Sequence, residues 1–320
     1  MILSGRKRGS VLVIAALSMT VLLSVGALAV DYGYAVLMRE RLQRSVDAAA
    51  LCGAMELAMG RTGTAASSAV DMGNTNLSAT YSVSFPAGNR CHVDGERSLR
   101  TFFAAVLGWD SMTVRAHAEA IASPVSAAQG LRPFAIVPPV GGFIYGTTYT
   151  IKYGPGQESE SFHGNFNAVA LDPDDKGAKD YLENIKFGAD GWINIDGDIT
   201  TDDDWIDTEP GNMAGPTKEG VNYLVDQDAH DWDYYQSNGG IELSSRLITI
   251  PVIESMVDIN GRELVHVIGF ARVFLENALG TGNDVDVYAR FVKIATPNSR
   301  TGGNAQDYGA YGIRLIVPGS

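Results

Sequence analysis

The residues best suited to chemistry in this chain are carboxylates. Asp196-Gly197-Asp198 is followed by Asp202, Asp203 and Asp204, with Asp190 upstream and Asp207 downstream. Oxygen ligands interleaved with glycine suit a hard cation such as calcium, which needs several carboxylates converging within about 2.5 Å of one ion. Asp196, Asp198, Asp202 and Asp204 are the candidate ligands and calcium the candidate cofactor. The EF-hand pattern is not met. Counting from Asp196, the twelfth position is Asp207 rather than Glu, the sixth is not Gly, and Trp192 to Ile195 reads as strand where a helix should flank the loop. The competing reading of the same residues is a solvated acidic face. A second acidic stretch, Asp172-Pro173-Asp174-Asp175-Lys176-Gly177, is accounted for by turn chemistry, with Asp174 or Asp175 free to cap the helix that follows. Pro210-Gly211-Asn212 and Gly215-Pro216-Thr217 also mark turns, and Thr217 is placed to cap the next helix.

Motifs for catalysis are missing. The chain contains no G-x-S-x-G, no H-E-x-x-H and no G-x-x-x-x-G-K-[ST]. His92, His117, His163, His230 and His266 are scattered singly; His117 and His266 fall in strand patterns, and His163, beside Gly164 and Asn165, has no identifiable partner. Two cysteines, Cys52 and Cys91, cannot build a thiolate zinc cage. In an exported chain they can form one disulfide; the alternative is that Cys52 is a small packing residue. Net charge is −13, concentrated between Gln157 and Asp233, where 20 Asp and Glu face 4 Lys; the rest holds 17 acids and 20 bases. So acidic a surface, with no basic aromatic groove elsewhere, excludes nucleic acid as a partner.

The element that positions everything else is at the N-terminus. Ser10 to Val30 contains no Asp, Glu, Lys or Arg, and at about 1.5 Å per residue a helix this long matches the ~30 Å hydrocarbon core of a bilayer. Arg6, Lys7 and Arg8 precede it, which keeps that end in the cytoplasm and sends Asp31 and the rest outside. A cleaved signal peptide is the rival reading, since Ala27 and Ala29 fit an A-x-A site before Val30. The helical pattern nevertheless runs on through that point, and Ala35, Met38, Leu42, Val46, Ala49 and Gly53 draw one apolar, increasingly small stripe that suits close helix packing. Gly60 and Gly63 end the element.

The layout Arg8-Gly9, apolar span, Ala29-Val30-Asp31, a Tyr-rich turn, Arg39 to Gln43 and then Asp47-Ala48-Ala49-Ala50-Leu51 resembles the N-terminus of TadE/TadG-like Flp pilus-assembly proteins. Cys52 stands where the resemblance leads one to expect a residue such as Ala. Thr101-Phe102-Phe103 to Leu107-Gly108, with the strand after it, and the phrases Gly164-Asn165-Phe166, Glu209-Pro210-Gly211-Asn212 and Gly215-Pro216-Thr217 extend the resemblance more loosely. Some TadG-like proteins carry a von Willebrand A-type domain with a D-x-S-x-S metal site, which this chain lacks. A filament subunit cut after Gly9 would want a Glu as fifth mature residue; Ile14 is there instead.

The expected fold class is α+β: a long N-terminal membrane-anchored helix, a small pilin-like α+β module, and a β-rich acidic outer domain with short helices. The expected divisions are a basic segment 1–9, a span 10–30, a helical extension 31–60, a module and linker 61–130, and the outer domain 131–320. Within the module, Thr80 to Phe85 and the residues around Cys91 and Val93 read as strands. Arg97 to Leu107 reads as a helix burying Leu99, Phe102, Phe103, Val106 and Leu107, and Met112 to Ala120 as a half-buried strand. In the outer domain strands are expected at Thr147 to Tyr153, Phe166 to Leu171, Leu247 to Ile253, Leu264 to Phe274, Val285 to Ile294 and Gly312 to Val317. Helices are expected at Ala178 to Phe187 and Thr217 to Asp226. The resemblance implies a structural, non-enzymatic minor component of a Flp-type pilus in the inner membrane, whose partners are the membrane, pilus-assembly or pilin-like subunits and sister copies. The alternatives are an exported binding or adhesion module using calcium, and an exported hydrolase.

Overall fold

The computed structural model describes residues 7–154, 166–172, 174, 176–195, 204–259, 261–280, 282, 284–303 and 305–317. The chain is mixed α+β, with a long N-terminal helix and a β-rich C-terminal region carrying short helices. It divides into two units: residues 1–56, 62–121 and 314–320, and residues 57–61 and 122–313.

In the first unit, α1 runs unbroken from Lys7 to Ala58, 52 residues. Its N-terminal part is long and apolar enough to cross a membrane, and Val11, Leu12, Ile14, Leu17, Leu22 and Val25 are exposed along it. Past Asp31 the burial pattern changes to one-sided: Met38, Leu42, Val46, Ala49, Ala50 and Ala54 are buried. After the turn at Gly60, α2 (Ala65–Asn76) places Ala65, Ala69 and Gly73 inward. Three strands follow, β1 (Thr80–Ser84), β2 (Arg90–Arg100) and β3 (Ser111–Ala128), forming an antiparallel meander in which Val83 pairs with Val93, and Val93 with Ala118. The boundary between the units, at Ile121 and Ala122, falls inside β3.

The helix expected over Arg97 to Leu107 is not formed. Arg97 to Arg100 continue β2, pairing with Val114 to Ser111, and only Ala104–Leu107 makes a short 3-10 turn. Leu99, Phe102, Phe103 and Val106 imitate helical spacing, but only Leu99 enters the core, while Phe102, Phe103 and Val106 are exposed.

The second unit is built on an antiparallel sheet of order β4-β10-β9-β7-β5, with β8 also on β9. In chain order β4 is Thr148–Lys152, β5 Val169–Ala170, β6 Ile193–Asn194, β7 Trp205–Thr208, β8 Leu247–Ile253, β9 Leu264–Leu279 and β10 Asp286–Val292. β11 (Ile294–Ala295) and β12 (Ser299–Thr301) are short, and β13 is Ala310–Ile316. β8 is buried at every position, its apolar residues covered on both faces and its one hydroxyl, Thr249 Oγ1, accepting from Arg272 Nη1 at 2.8 Å. Phe134, Ile151, Ile250 and Phe291 form the main core with Ile185 and Val221, which come from two helices, α3 (Ala178–Phe187) and α4 (Ala214–Asp226). These helices approach closely because Gly220 faces Ile185: a methyl on Gly220 would lie 2.6 Å from Ile185 Cγ2.

Two capping expectations are corrected here. The residue before α3 is Gly177, at φ +100°, while Asp174 N–H donates to Asp172 Oδ1 and closes the acidic turn instead. α4 starts three residues before Thr217, which lies buried inside it 3.1 Å from Tyr181 Oη; Pro216 is tolerated in the first turn, where no backbone N–H is required. A helix that the hydrophobic pattern missed, α5 (Trp232–Asn238), is capped by Asp231, whose Oδ1 accepts from Tyr234 N–H at 2.9 Å.

Candidate functional site

The stripe of small residues on α1 is filled by the first unit itself. Leu42, Val46 and Ala49 are fully buried, Met38 and Gly53 are buried and Ala35 is half-buried. Two glycines set the closeness of the contact. A methyl on Gly95 of β2 would come within 2.6 Å of Val46 Cγ1 and 3.1 Å of Leu42 Cδ1, and one on Gly53 would come within 3.3 Å of Ala69 Cβ and would overlap Cys91 Sγ. Burying a flat glycine-bearing strand against Val and Leu is how an apolar face is satisfied at short range. Polar side chains fix the register. Ser45 Oγ donates to Gly73 O at 2.8 Å and lies 2.6 Å from Tyr81 Oη, which in turn reaches Leu77 O at 2.6 Å; Gln43 Nε2 donates to His117 O at 2.9 Å.

Asp31, the first charged residue after the apolar run, makes the most organised contact of the unit. One carboxylate oxygen accepts from Phe102 N–H at 2.8 Å, the other from Phe103 N–H at 2.9 Å and Ala104 N–H at 2.7 Å. Burial alone would push the Asp31 carboxyl up, but the three backbone donors outweigh it and hold it below its ordinary value. These donors are the unpaired amides that open the 3-10 turn, so Asp31 caps it from another element.

Beside the stripe, Arg41, Arg44, Ser45, Ala48, Asn76 and Leu77 line a groove of about 400 Å³. Cys52 and Cys91 are both free thiols. Cys91 is fully buried, and burial, with Cys52 nearby, pushes its thiol up to about 12; Cys52 is half-buried, 3.6 Å from Ser68 O, and burial raises it too.

The histidines are less scattered than their sequence positions indicate. On β2 and β3, His92 pairs with Glu119 and Asp94 with His117, so the two rings stack at 6.4 Å. His92 Nε2 is 3.3 Å from Asp94, its Nδ1 3.6 Å from Glu119, and Arg90 also reaches the buried Glu119 at 3.3 Å. Period-two alternation over 90, 92, 94 and over 115, 117, 119 carries this grouping, once the strands are known to pair. In the second unit His266 lies between Glu254 Oε2 and Asp204 Oδ2, each at 3.1 Å, with the Trp205 ring stacked on it. Asp204 is thus engaged by a histidine, while Asp196, Asp198 and Asp202 lie outside the described residues, as does His163. Among the described residues no group of three or more His, Cys, Asp or Glu is arranged to hold a metal ion.

Ser244, Asp228 and His230 do come together, but in the wrong order for nucleophile activation. Asp228 Oδ2 accepts from Ser244 Oγ and from Tyr235 Oη at 2.6 Å, while its Oδ1 meets His230 Nδ1 at 3.1 Å. The carboxylate, not the imidazole, faces the serine, so no base takes the hydroxyl proton. Burial would raise Asp228, and these donors together hold it at about 2. Arg246 completes the knot by donating to the carbonyls of His230, Leu275 and Glu276.

Compared with known proteins, residues 9–56 match Tad, the TadE/G-like Flp pilus-assembly family. Neither a curated protein nor a solved structure matches the chain. The matched segment is α1 almost to its end, the element that carries the apolar span, Asp31 and the buried stripe.

Proposed function

We propose, with a Tad domain over residues 9–56 as the premise, that this chain is a TadE/G-like minor component in the assembly of a Flp-type pilus. It crosses the inner membrane once through Ser10 to Val30, with Arg6, Lys7 and Arg8 in the cytoplasm and everything from Asp31 outside. The observation that carries the reading is the coincidence of the matched segment with one unbroken helix, exposed and apolar over its first part and packed on one side after it.

The role is structural, with no catalytic step. Because Leu42 and Val46 pack on Gly95 of the chain's own β2, and Gly53 on Cys91 of β2 and Ala69 of α2, contact with pilin-like or sister subunits falls to the remaining faces of α1. Arg39, Glu40, Arg41 and Arg44 are exposed there, and the groove beside Arg41 and Arg44 suits an acidic side chain of a neighbouring subunit. The test is photocrosslinking from positions 41 and 44 in native membranes, followed by identification of the adducts. Pilus-assembly or pilin-like subunits are the expected partners; a membrane-inserted chain giving adducts only with unrelated proteins refutes the reading.

A further inference from the structure

The loop between β2 and β3 carries large apolar side chains that the fold leaves outside. Phe102 is 61% exposed, Phe103 46%, Val106 85% and Trp109 69%. Leaving four such groups in water is costly, and clustered exposed apolar surface marks a contact. The loop is held rigid. Thr101 N–H donates to Asp110 O at 3.2 Å, Trp109 N–H donates to Ala104 O at 3.0 Å, Thr101 Oγ1 donates to Trp109 O, and Gly108 closes the turn at φ +88°. Its height along α1 is fixed as well: Asp31 holds the amides of Phe102, Phe103 and Ala104, and Tyr34 stacks edge-on to Phe102 with ring centroids 5.5 Å apart. Asp31 follows directly on Val30, the last residue of the apolar run, and Tyr32, 72% exposed, follows Asp31.

We infer that Phe102, Phe103, Val106 and Trp109, with Tyr32, form a second membrane contact that rests in the headgroup layer of the outer face of the same bilayer that α1 crosses. The inference depends on the spanning role of Ser10 to Val30 proposed above. A lipid surface is the occupant because the loop is held at the end of the span, its Phe102 and Phe103 amides on Asp31 and the Phe102 ring on Tyr34, within about one helical turn of Val30, and because Trp and Tyr partition to the membrane–water boundary, where an aromatic ring meets an apolar layer and a polar edge meets water. Asp31 then acts as a positioning residue. Its carboxylate stays at the boundary, paired with backbone amides, and sets the loop at the depth where its aromatic groups meet the lipid.

The full chain is reconstituted into vesicles of phosphatidylcholine and phosphatidylglycerol in which part of the phosphatidylcholine carries bromine, a short-range quencher of tryptophan, either near the headgroup end or near the middle of its acyl chains. The emission of Trp109 is taken as the difference between the natural chain and Trp109→Phe, which leaves Trp192, Trp205 and Trp232 in place. Leu17→Trp, in the Trp109→Phe background, reports on the span. The expected result is quenching of Trp109 by shallow bromines more than by deep ones, and of Leu17→Trp by deep ones more than by shallow. If Leu17→Trp is quenched and Trp109 is not, the loop faces water or another protein: this inference falls and the span stands. If neither is quenched, the span falls and the inference with it.

Discussion

A size exchange across the α1–β2 contact tests whether the small-residue stripe is filled by this chain. Gly95→Ala places a methyl 2.6 Å from Val46 Cγ1. Overpacking of this kind costs about 1–3 kcal/mol, against which Ala at a glycine position recovers ~0.4–1 kcal/mol by restricting the unfolded chain. The net expectation is a loss of about 1–2 kcal/mol. Val46→Ala removes two methyl groups from a fully buried position, about 1.6 kcal/mol of transfer plus a cavity contribution, or ~2–3 kcal/mol together. In the double variant the new methyl enters the space the old ones left, so the combined loss should fall short of the sum by ~1–2 kcal/mol. Cys91 supplies the assay: it is fully buried on β2 and free, so under reducing conditions a thiol reagent reaches it only when the unit opens. In a Cys52→Ala background and a detergent solution of the whole chain, Val46→Ala should speed labelling by roughly 30- to 150-fold. The double variant should label more slowly than the two separate effects multiplied. If the two losses add within about 0.5 kcal/mol, Val46 and Gly95 do not share that space and the packing described for α1 is wrong.

Asp31→Asn should loosen the loop it caps, read as faster hydrogen exchange of the Phe102, Phe103 and Ala104 amides. Because the folded Asp31 is held below its ordinary 3.8, its contribution is present above that pH and is lost as pH falls through the folded value; measured against an unstructured amide at the same pH, the natural chain should therefore lose protection at those amides on acidification, and the variant should not. The same sign holds for Asp228, lowered from 3.8 to about 2: the second unit should lose about 2 kcal/mol as pH falls from about 4 to about 2, and denaturant midpoints of Asp228→Asn should lack that component. Gly220→Ala should lower stability by ~1–2 kcal/mol, because its methyl meets Ile185 and overpacking exceeds the gain in helix propensity; a raised melting temperature of the second unit would refute the α3–α4 contact.

Elements whose composition or apolar spacing matched their surroundings were legible from residues alone. The part of α1 after Asp31 and α3 over Ala178–Phe187 repeat their buried residues at helical spacing, while β8 over Leu247–Ile253 is a short run rich in Leu, Ile and Val that is buried on both faces. Arg97 to Leu107 was not, because three exposed apolar groups, Phe102, Phe103 and Val106, together with the buried Leu99 imitate the spacing of a buried helix face. α5 escaped because Trp232 to Asn238 buries no residue, leaving only the Asp231 cap and the following Gly239 as signals. The packing role of Ala35 to Gly53 could be read from residue size, but not its counterpart: nothing local in the sequence says that Gly95 and Ala69 would be what fits against it. The grouping of His92 with His117 and the Asp31 clamp share that cause, being contacts between positions 25 and 71 or more residues apart, set by strand register and loop placement.

On the spanning role proposed for Ser10 to Val30, α1 is a lever, because the helix continues past Val30 without a break. Of its 52 residues, Asp31 to Ala58 extend beyond the apolar run, about 42 Å at ~1.5 Å per residue. Spanning helices tilt by about 20° on average, and a tilt of that size within the bilayer carries the far end of this arm sideways by roughly 14 Å. A thinner or thicker bilayer, or a neighbouring helix pushing on the span, is thereby converted into a displacement far larger than its cause, without any bond in the arm being remade.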